Sequence, residues 1–165
     1  MKKTSAGIVL WKKSPQGIKV FLVHPGGPFW MGKDEHAWDF PKGEVREREE
    51  LLTAAIREMH EETGIDLTTR KVEEFVSLGS VKRKDGKEIH LWAIEGDWTG
   101  LLVCRSWVEL EYPARSGKKI KFTEVDKAGF FNLEKAKNMV YPSLLIFIER
   151  FEKNITRVGA FPLEK

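Results

Sequence analysis

Glu58, Glu61 and Glu62 stand three and four residues apart in residues 43–65, GEVREREELLTAAIREMHEETGI. On an α-helix this spacing puts three carboxylates on one edge. Leu52, Ala55, Ile56 and Met59 recur at the spacing of a buried helical face and predict a helix over about 50–63. Gly64 then suits a left-handed C-terminal cap, with Ile65 free for the hydrophobic contact beyond it. The glutamates therefore gather near the negative end of the helix dipole, where each like-charged pair already costs about a few tenths of a kcal/mol. A hard divalent cation, Mg²⁺ or Mn²⁺, relieves both penalties and takes substrate phosphate oxygens at its remaining positions. The chemistry predicted is metal-assisted hydrolysis of a phosphoanhydride.

Two residues of the same stretch read as support. The Arg57 guanidinium can clamp the Glu49 carboxylate with two parallel hydrogen bonds and so fix the loop before the helix. Arg46 and Arg48 put positive charge beside the expected phosphate path, and a solvated charged face explains them equally well.

The elements that must hold this helix are legible as β-rich runs. TSAGIVLWK and IKVFLVH are joined by the hairpin signal SPQG, and an irregular segment, PGGPFWMGKDEH, leads to a WDFP strand. VEEFVSLGSVKRK and KEIHLWAIEGD flank Asp85-Gly86, a strong hairpin signal. A further strand is expected across LLVCRSWVELEY, then a basic loop, ARSGKK, with helices at LEKAKN and over 142–153, where Leu145, Ile148 and Phe151 share a face. Strands bracketing one central helix and ending in a C-terminal helix predict an α/β fold, an α/β/α sandwich with a mixed sheet.

Composition narrows the classes. A chain of 165 residues, 41% hydrophobic with six tryptophans, is expected to be one domain over 1–165 with a real core. No apolar run approaches 18 residues, and the apolar part of MKKTSAGIVLWKK is too short for a signal peptide, so a cytoplasmic protein without a membrane partner is expected. The net charge of +3 favours anionic small molecules without the footprint of an extended nucleic-acid binder. Lone Cys104 reads as a small buried hydrophobe, and His24, His36, His60 and His90 lack zinc-ligand spacing. Nothing separates a dimer surface from core, so oligomeric state stays open. Phe29 and Trp30 offer rings for stacking on a base. Tyr112, Arg115, Lys118 and Lys119 place an aromatic and three cations on one loop, where they would hold distal phosphates.

Residues 43–65 also fit every fixed position of the pattern Gly-x5-Glu-x7-Arg-Glu-(aliphatic)-x-Glu-Glu-x-Gly-(aliphatic). A chance match in a chain of this length has odds of roughly one in ten million. The chain thus resembles the Nudix hydrolases, whose fold is the sandwich expected above. The resemblance implies a small-molecule nucleotide substrate, a nucleoside diphosphate linked to a further group, and Mg²⁺ or Mn²⁺ as cofactor. Carried over by position, Glu58, Glu61 and Glu62 match the metal-holding glutamates, with Glu58 favoured as general base. The backbone carbonyl of Lys42 or Gly43 supplies a further ligand, and Glu124, in FTEVDKAGFF, completes the site or acts as base. AWDFPKGEV is similar to the lead-in of members acting on dinucleoside polyphosphates, which makes a substrate such as diadenosine tetraphosphate the first expectation. A house-cleaning triphosphate pyrophosphohydrolase, a nucleotide-sugar hydrolase and a non-catalytic nucleotide-sensing module are the alternatives. Many relatives carry Gly where this chain has Arg48, so a different turn into the helix is expected.

Overall fold

The computed structural model describes residues 3–157. Strands β1 (Thr4–Ser14) and β2 (Gly17–Pro25) form the expected hairpin, paired from Trp11↔Val20 to Ser14↔Gly17. Below Trp11 the two strands splay apart, and residues 37–44 fill the gap. Val23 exchanges backbone hydrogen bonds with Asp39, Ile8 N–H donates to the Pro41 carbonyl, and β3 (Lys42–Glu44) pairs with Ser5–Gly7 of β1. The expected WDFP strand is therefore only a pair of isolated bridges, Val23↔Asp39 and Trp38↔Val140, and the regular pairing starts after it. Gly7 permits this insertion: a Cβ there would stand 2.4 Å from the Pro41 carbonyl oxygen and from the Lys42 Cβ.

Helix α1 (Leu51–Thr63) follows, and further along the chain β4 (Val76–Lys82) and β5 (Glu88–Glu95) form the hairpin around Asp85-Gly86. β5 runs parallel to β1 over its length, in a sheet whose other strand pairings among the described residues are antiparallel, which makes it mixed. β6 (Trp107–Glu111) and β7 (Lys119–Thr123) form a separate two-stranded arm, and β8 (Val125–Asn132) closes the main sheet, whose order is β4-β5-β1-β2-β8 with β3 on β1. Helices α2 (Leu133–Met139) and α3 (Leu145–Arg157), the latter entered through a single 3-10 turn, complete the chain.

Alternation along the strands builds two cores. Ala6, Ile8, Leu10, Phe21 and Val23 face α1 through Ala54, Ala55 and Met59. Val9, Val20 and Leu22 face α2 and α3 through Ala136, Phe147, Ile148 and Phe151. The result is the predicted α/β/α sandwich. Fully burying a side chain the size of Met59 contributes about 1.5–3 kcal/mol, so α1 is anchored by a buried face of Ala54, Ala55 and Met59 that also carries Glu58 and Glu62.

The expected strand across LLVCRSWVELEY is regular only at Trp107–Glu111. Its first half has another use: Val103 N–H donates to the Thr63 carbonyl and Arg105 N–H to the Glu61 carbonyl, satisfying carbonyls that the end of α1 leaves without intrahelical partners. Gly64 caps the same end at φ 81°, its N–H bonded to the His60 carbonyl. At the other end, Arg48 has φ 61°, the left-handed conformation that glycine adopts most readily. The loop between β3 and α1 is locked by Arg57, whose Nε and Nη2 donate to Glu49 Oε1 and Oε2 at 2.7 and 2.9 Å, while Glu49 Oε2 accepts from Arg46 N–H.

Two expectations follow. Gly64→Ala forces a side chain into a left-handed φ and puts its Cβ 2.9 Å from that of Val103, so urea denaturation should show a loss of at least about 1–2 kcal/mol. Its Arg57 hydrogen bonds hold the Glu49 carboxyl down to about 2 from an ordinary 4.5. A depressed carboxylate stabilises above its unfolded value, so this contribution is complete above pH 4.5 and fades as pH falls toward 2. Glu49→Gln should cost about 1–3 kcal/mol near neutrality and flatten the stability–pH curve across that acid window.

Candidate active site

The carboxylate edge of α1 faces β3 and the base of the β6–β7 arm. Glu58 is 7% and Glu62 8% exposed, unusual burial for two charged side chains on one helix. Gly43 lies flat against Glu58, since a Cβ on Gly43 would fall 2.1 Å from the Glu58 carboxyl carbon. Arg57 Nη1 donates to Glu58 Oε1 at 2.5 Å and to Glu61 Oε2 at 3.1 Å, and Arg46 Nη2 donates to Glu61 Oε1 at 3.0 Å. Glu62 accepts the Lys42 backbone N–H at 3.1 Å. Across the cleft, Glu124 accepts from the Ser106 hydroxyl, and its backbone joins the start of β6 to the loop after β2 through Ser106 and Gly26. A cleft of about 470 Å³ is lined by Gly43, Arg46, Arg57, Glu58, Glu61 and Glu124, among others.

The electrostatics follow from the burial. Desolvation raises the Glu58 carboxyl above its ordinary value against the pull of Arg57, with Glu61 and Glu124 adding repulsion. Glu62 is pushed up further, first by burial, with Lys42 opposing and Asp39, Glu124 and Glu58 reinforcing. Lys42 is itself raised: burial would lower it, but Asp39, whose Oδ2 accepts from Lys42 Nζ at 2.6 Å, outweighs that.

These groups fit a hard divalent cation by their chemistry. They are oxygen donors only, and the two buried ones, Glu58 and Glu62, have their charged forms disfavoured by burial and by the charge of Glu124, penalties that a bound cation reverses. Among the described residues no three His, Cys, Asp or Glu side chains are closed into a ready metal cage. Arg57 and Arg46 instead hold the oxygens of Glu58 and Glu61.

Of the residues singled out in the sequence, the fold brings Lys42, Gly43, Arg46, Glu49, Arg57, Glu58, Glu61, Glu62 and Glu124 together. It does not bring Arg115 and Lys118, which are exposed at the tip of the β6–β7 arm, about 16 Å of strand away from Ser106 and Glu124 at its base. Phe29 is 53% exposed and meets Tyr112 edge to face, whereas Trp30 turns toward Tyr141. Ser106 was missed, and only its place beside the strand start could have flagged it. Cys104 is half-buried, its thiol against the Ser106 carbonyl.

The RNA pyrophosphohydrolase of Caulobacter vibrioides is 43% identical over 53 residues, 29% of this chain and 31% of that protein. That of Novosphingobium aromaticivorans is 32% identical over 90 residues, 52% of this chain and 50% of that protein. The matches thus span about a third to a half of these curated relatives. Among solved structures, a C. elegans Ap4A hydrolase in a binary complex superposes with a TM-score of 0.66 at 20% identity, covering 94% of this chain and 98% of that one. The NUDIX domain of Shewanella oneidensis NrtR, complexed with ADP ribose, gives 0.63 at 16% identity, covering 94% and 89%. At these identities the structural likeness speaks for the fold, and the NUDIX domain model supplies the family, matching residues 1–151. The chain belongs to the NUDIX family.

Proposed function

We propose that the chain is a hydrolase that cleaves a phosphoanhydride bond in a nucleoside diphosphate-linked compound, with Mg²⁺ or Mn²⁺ held by Glu58, Glu61, Glu62 and the Gly43 backbone. The observation that carries this reading is the gathering of Glu58, Glu61 and Glu124 on one cleft, with Glu62 buried behind it against the Lys42 N–H and feeling the charge of Glu58 and Glu124. When bound, the cation supplies Lewis-acid charge on the phosphate and a more acidic water.

The chain's own groups do the rest. Arg46 and Lys42 draw the anionic phosphates to the cleft. Arg57 fixes one oxygen of Glu58, leaving the other carboxylate oxygen to take a proton from the attacking water. Glu124, steadied by Ser106, faces it from the opposite wall and is the second candidate for that proton. Attack at phosphorus breaks the bridging P–O bond and releases a nucleotide and a second phosphorylated product.

The preferred substrate is a nucleoside or dinucleoside polyphosphate such as diadenosine tetraphosphate. The lead-in AWDFPKGEV and the fold likeness to an Ap4A hydrolase support it. A second reading, a 5′-polyphosphate on RNA, is supported by the names of the sequence relatives. Both place a nucleoside polyphosphate in the same cleft, in a protein acting in the cytoplasm. Released nucleotide and phosphate should be measured over dinucleoside polyphosphates, nucleoside triphosphates, nucleotide sugars and 5′-triphosphorylated RNA, with Mg²⁺, Mn²⁺ or chelator. Cation-dependent cleavage concentrated on dinucleoside polyphosphates is expected, and preference for the RNA selects the second reading. Absence of turnover on every member would overturn the hydrolase assignment.

Glu62→Gln keeps an oxygen for the Lys42 N–H and should leave the melting temperature near that of the parent. Turnover should fall by about 100-fold or more. Near-parental activity would remove Glu62 from the metal site.

A further inference from the structure

β4 is an edge strand of the main sheet, and its ladder is interrupted. The pairing with β5 shifts between Ser77 and Ser80, a bulge in which Gly79 takes φ 75°. The Leu78 and Ser80 carbonyls turn outward there, and both accept from Nη1 of Arg150 on α3, at 3.0 Å each. The same guanidinium lies 5.7 Å over the ring of buried Phe147. One nitrogen thus fixes Arg150, while its other N–H groups meet no acceptor among the described residues.

Beside this guanidinium, α3 and β4 enclose a cavity of about 230 Å³ lined by Ser77, Leu78, Arg150, Lys153, Asn154 and Arg157. Half of the lining residues are cations and none is a carboxylate. Arg150, Lys153 and Arg157 recur at i, i+3 and i+7, along one side of α3, and spread over about 10 Å of helix. None of the three has an ion-pair partner among the described residues. The nearby acid Glu152 is turned to Lys137 of α2 at 3.0 Å, β4 carries no carboxylate, and Glu149 lies outside the lining. Ser77 adds a hydroxyl, whose Oγ accepts the Gly79 N–H at 3.2 Å and whose own O–H remains to donate.

The helix dipole favours a cation in the last turn, which accounts for Arg157. It does not account for Arg150, about two turns earlier, or for a concave wall of donors with no acid facing them. A singly charged ligand meets one of these cations, whereas a ligand with several charges in line meets all three. We propose that this cavity is an anion site for linked phosphates, with Arg150 as its fixed donor, Lys153 and Arg157 extending the row, and the Ser77 hydroxyl bonding a phosphate oxygen. It shares no lining residue with the carboxylate cleft and lies by α3, across the sheet from α1, so it stands apart from the hydrolase reading. A free polyphosphate and the backbone of a single-stranded RNA both present this chemistry.

The full chain, labelled with nitrogen-15, should be titrated in buffer free of divalent cations with inorganic phosphate, tripolyphosphate, citrate and a 5′-hydroxyl oligouridylate. Backbone amides of residues 77–80 and 153–157 should shift with at least one of the two linked phosphates, which should bind more tightly than inorganic phosphate or citrate. The double variant Lys153→Ala, Arg157→Ala should weaken that binding about ten-fold or more, and Ser77→Ala several-fold. All three side chains are exposed, so melting temperatures should stay near that of the parent, and Arg150 is left unaltered because it holds the bulge. Saturation by tripolyphosphate, with or without the oligonucleotide, assigns a free polyphosphate. Saturation by the oligonucleotide alone assigns an RNA backbone, and either result bears the site out. Absence of shifts with both linked phosphates, shifts confined to the carboxylate cleft, citrate binding equal to theirs, or equal binding by parent and double variant overturns the proposal.

Discussion

The structure is organised around the cost of placing Glu58, Glu61 and Glu62 at the negative end of one helix and burying two of them. A single guanidinium does most of the holding: Arg57 reaches Glu49, Glu58, Glu61 and the Glu44 carbonyl at once. Because Arg57 also fixes the loop before its own helix, the geometry of the carboxylates and the path of the loop are one constraint. Arg and not Lys is required, since only a planar fork offers donors in enough directions to serve four acceptors. The arrangement still leaves the buried carboxylates reluctant to ionise, which is the condition under which a divalent cation binds with the greatest electrostatic gain.

The backbone beneath α1 shows how the sheet accommodates this edge. β1 and β2 part below Trp11, and the chain returns between them to form β3 directly under Glu58. Two glycines make the close approaches possible, Gly7 against Pro41 and Lys42, and Gly43 against the Glu58 carboxylate. A side chain at either would separate layers whose contact sets the position of the carboxylate edge. The loop after Gly64 then hydrogen-bonds the carbonyls of Glu61 and Thr63, so the charged end of the helix is clamped by backbone as well as by Arg57.

The helix was legible because its signals were local. Periodicity, the Gly64 cap and the i, i+3, i+4 glutamates all lie within a few turns. The same holds for the hairpins at Ser14–Gly17 and Asp85–Gly86. What escaped depended on distant partners. Residues 101–106 have strand-like composition but spend their N–H groups on α1, and WDFP has only bridge partners on either side. β7 and β8 were hidden because β7 is a short strand of a separate arm with none of its residues fully buried and β8 carries Asp126, Lys127 and Gly129, poor strand formers, at an edge of the sheet. Among residues of the carboxylate cleft, Glu124 was found through a resemblance, while Ser106 needed the fold. Arg115 and Lys118 were drawn toward the phosphates by charge alone, and the arm carries them away. Arg48 shows the converse: a departure expected to alter the turn instead adopts glycine's own conformation.

Two clefts that share Lys42 are built in different ways from the chain. The carboxylate edge is written almost wholly in residues 42–62, on one helix and the strand beneath it. The other cavity, bounded by Trp30, Arg83, Tyr141 and Ser143, is assembled from three loops separated in sequence, each ending on a different element. These loops are not independent of the core, since Val140 and Leu144 of the connection from α2 to α3 are buried in it and Trp30 packs against it. Lys42 belongs to both clefts, with its backbone on Glu62 and its side chain on Asp39, one group in each. A change at Lys42 that moves its backbone must therefore disturb both.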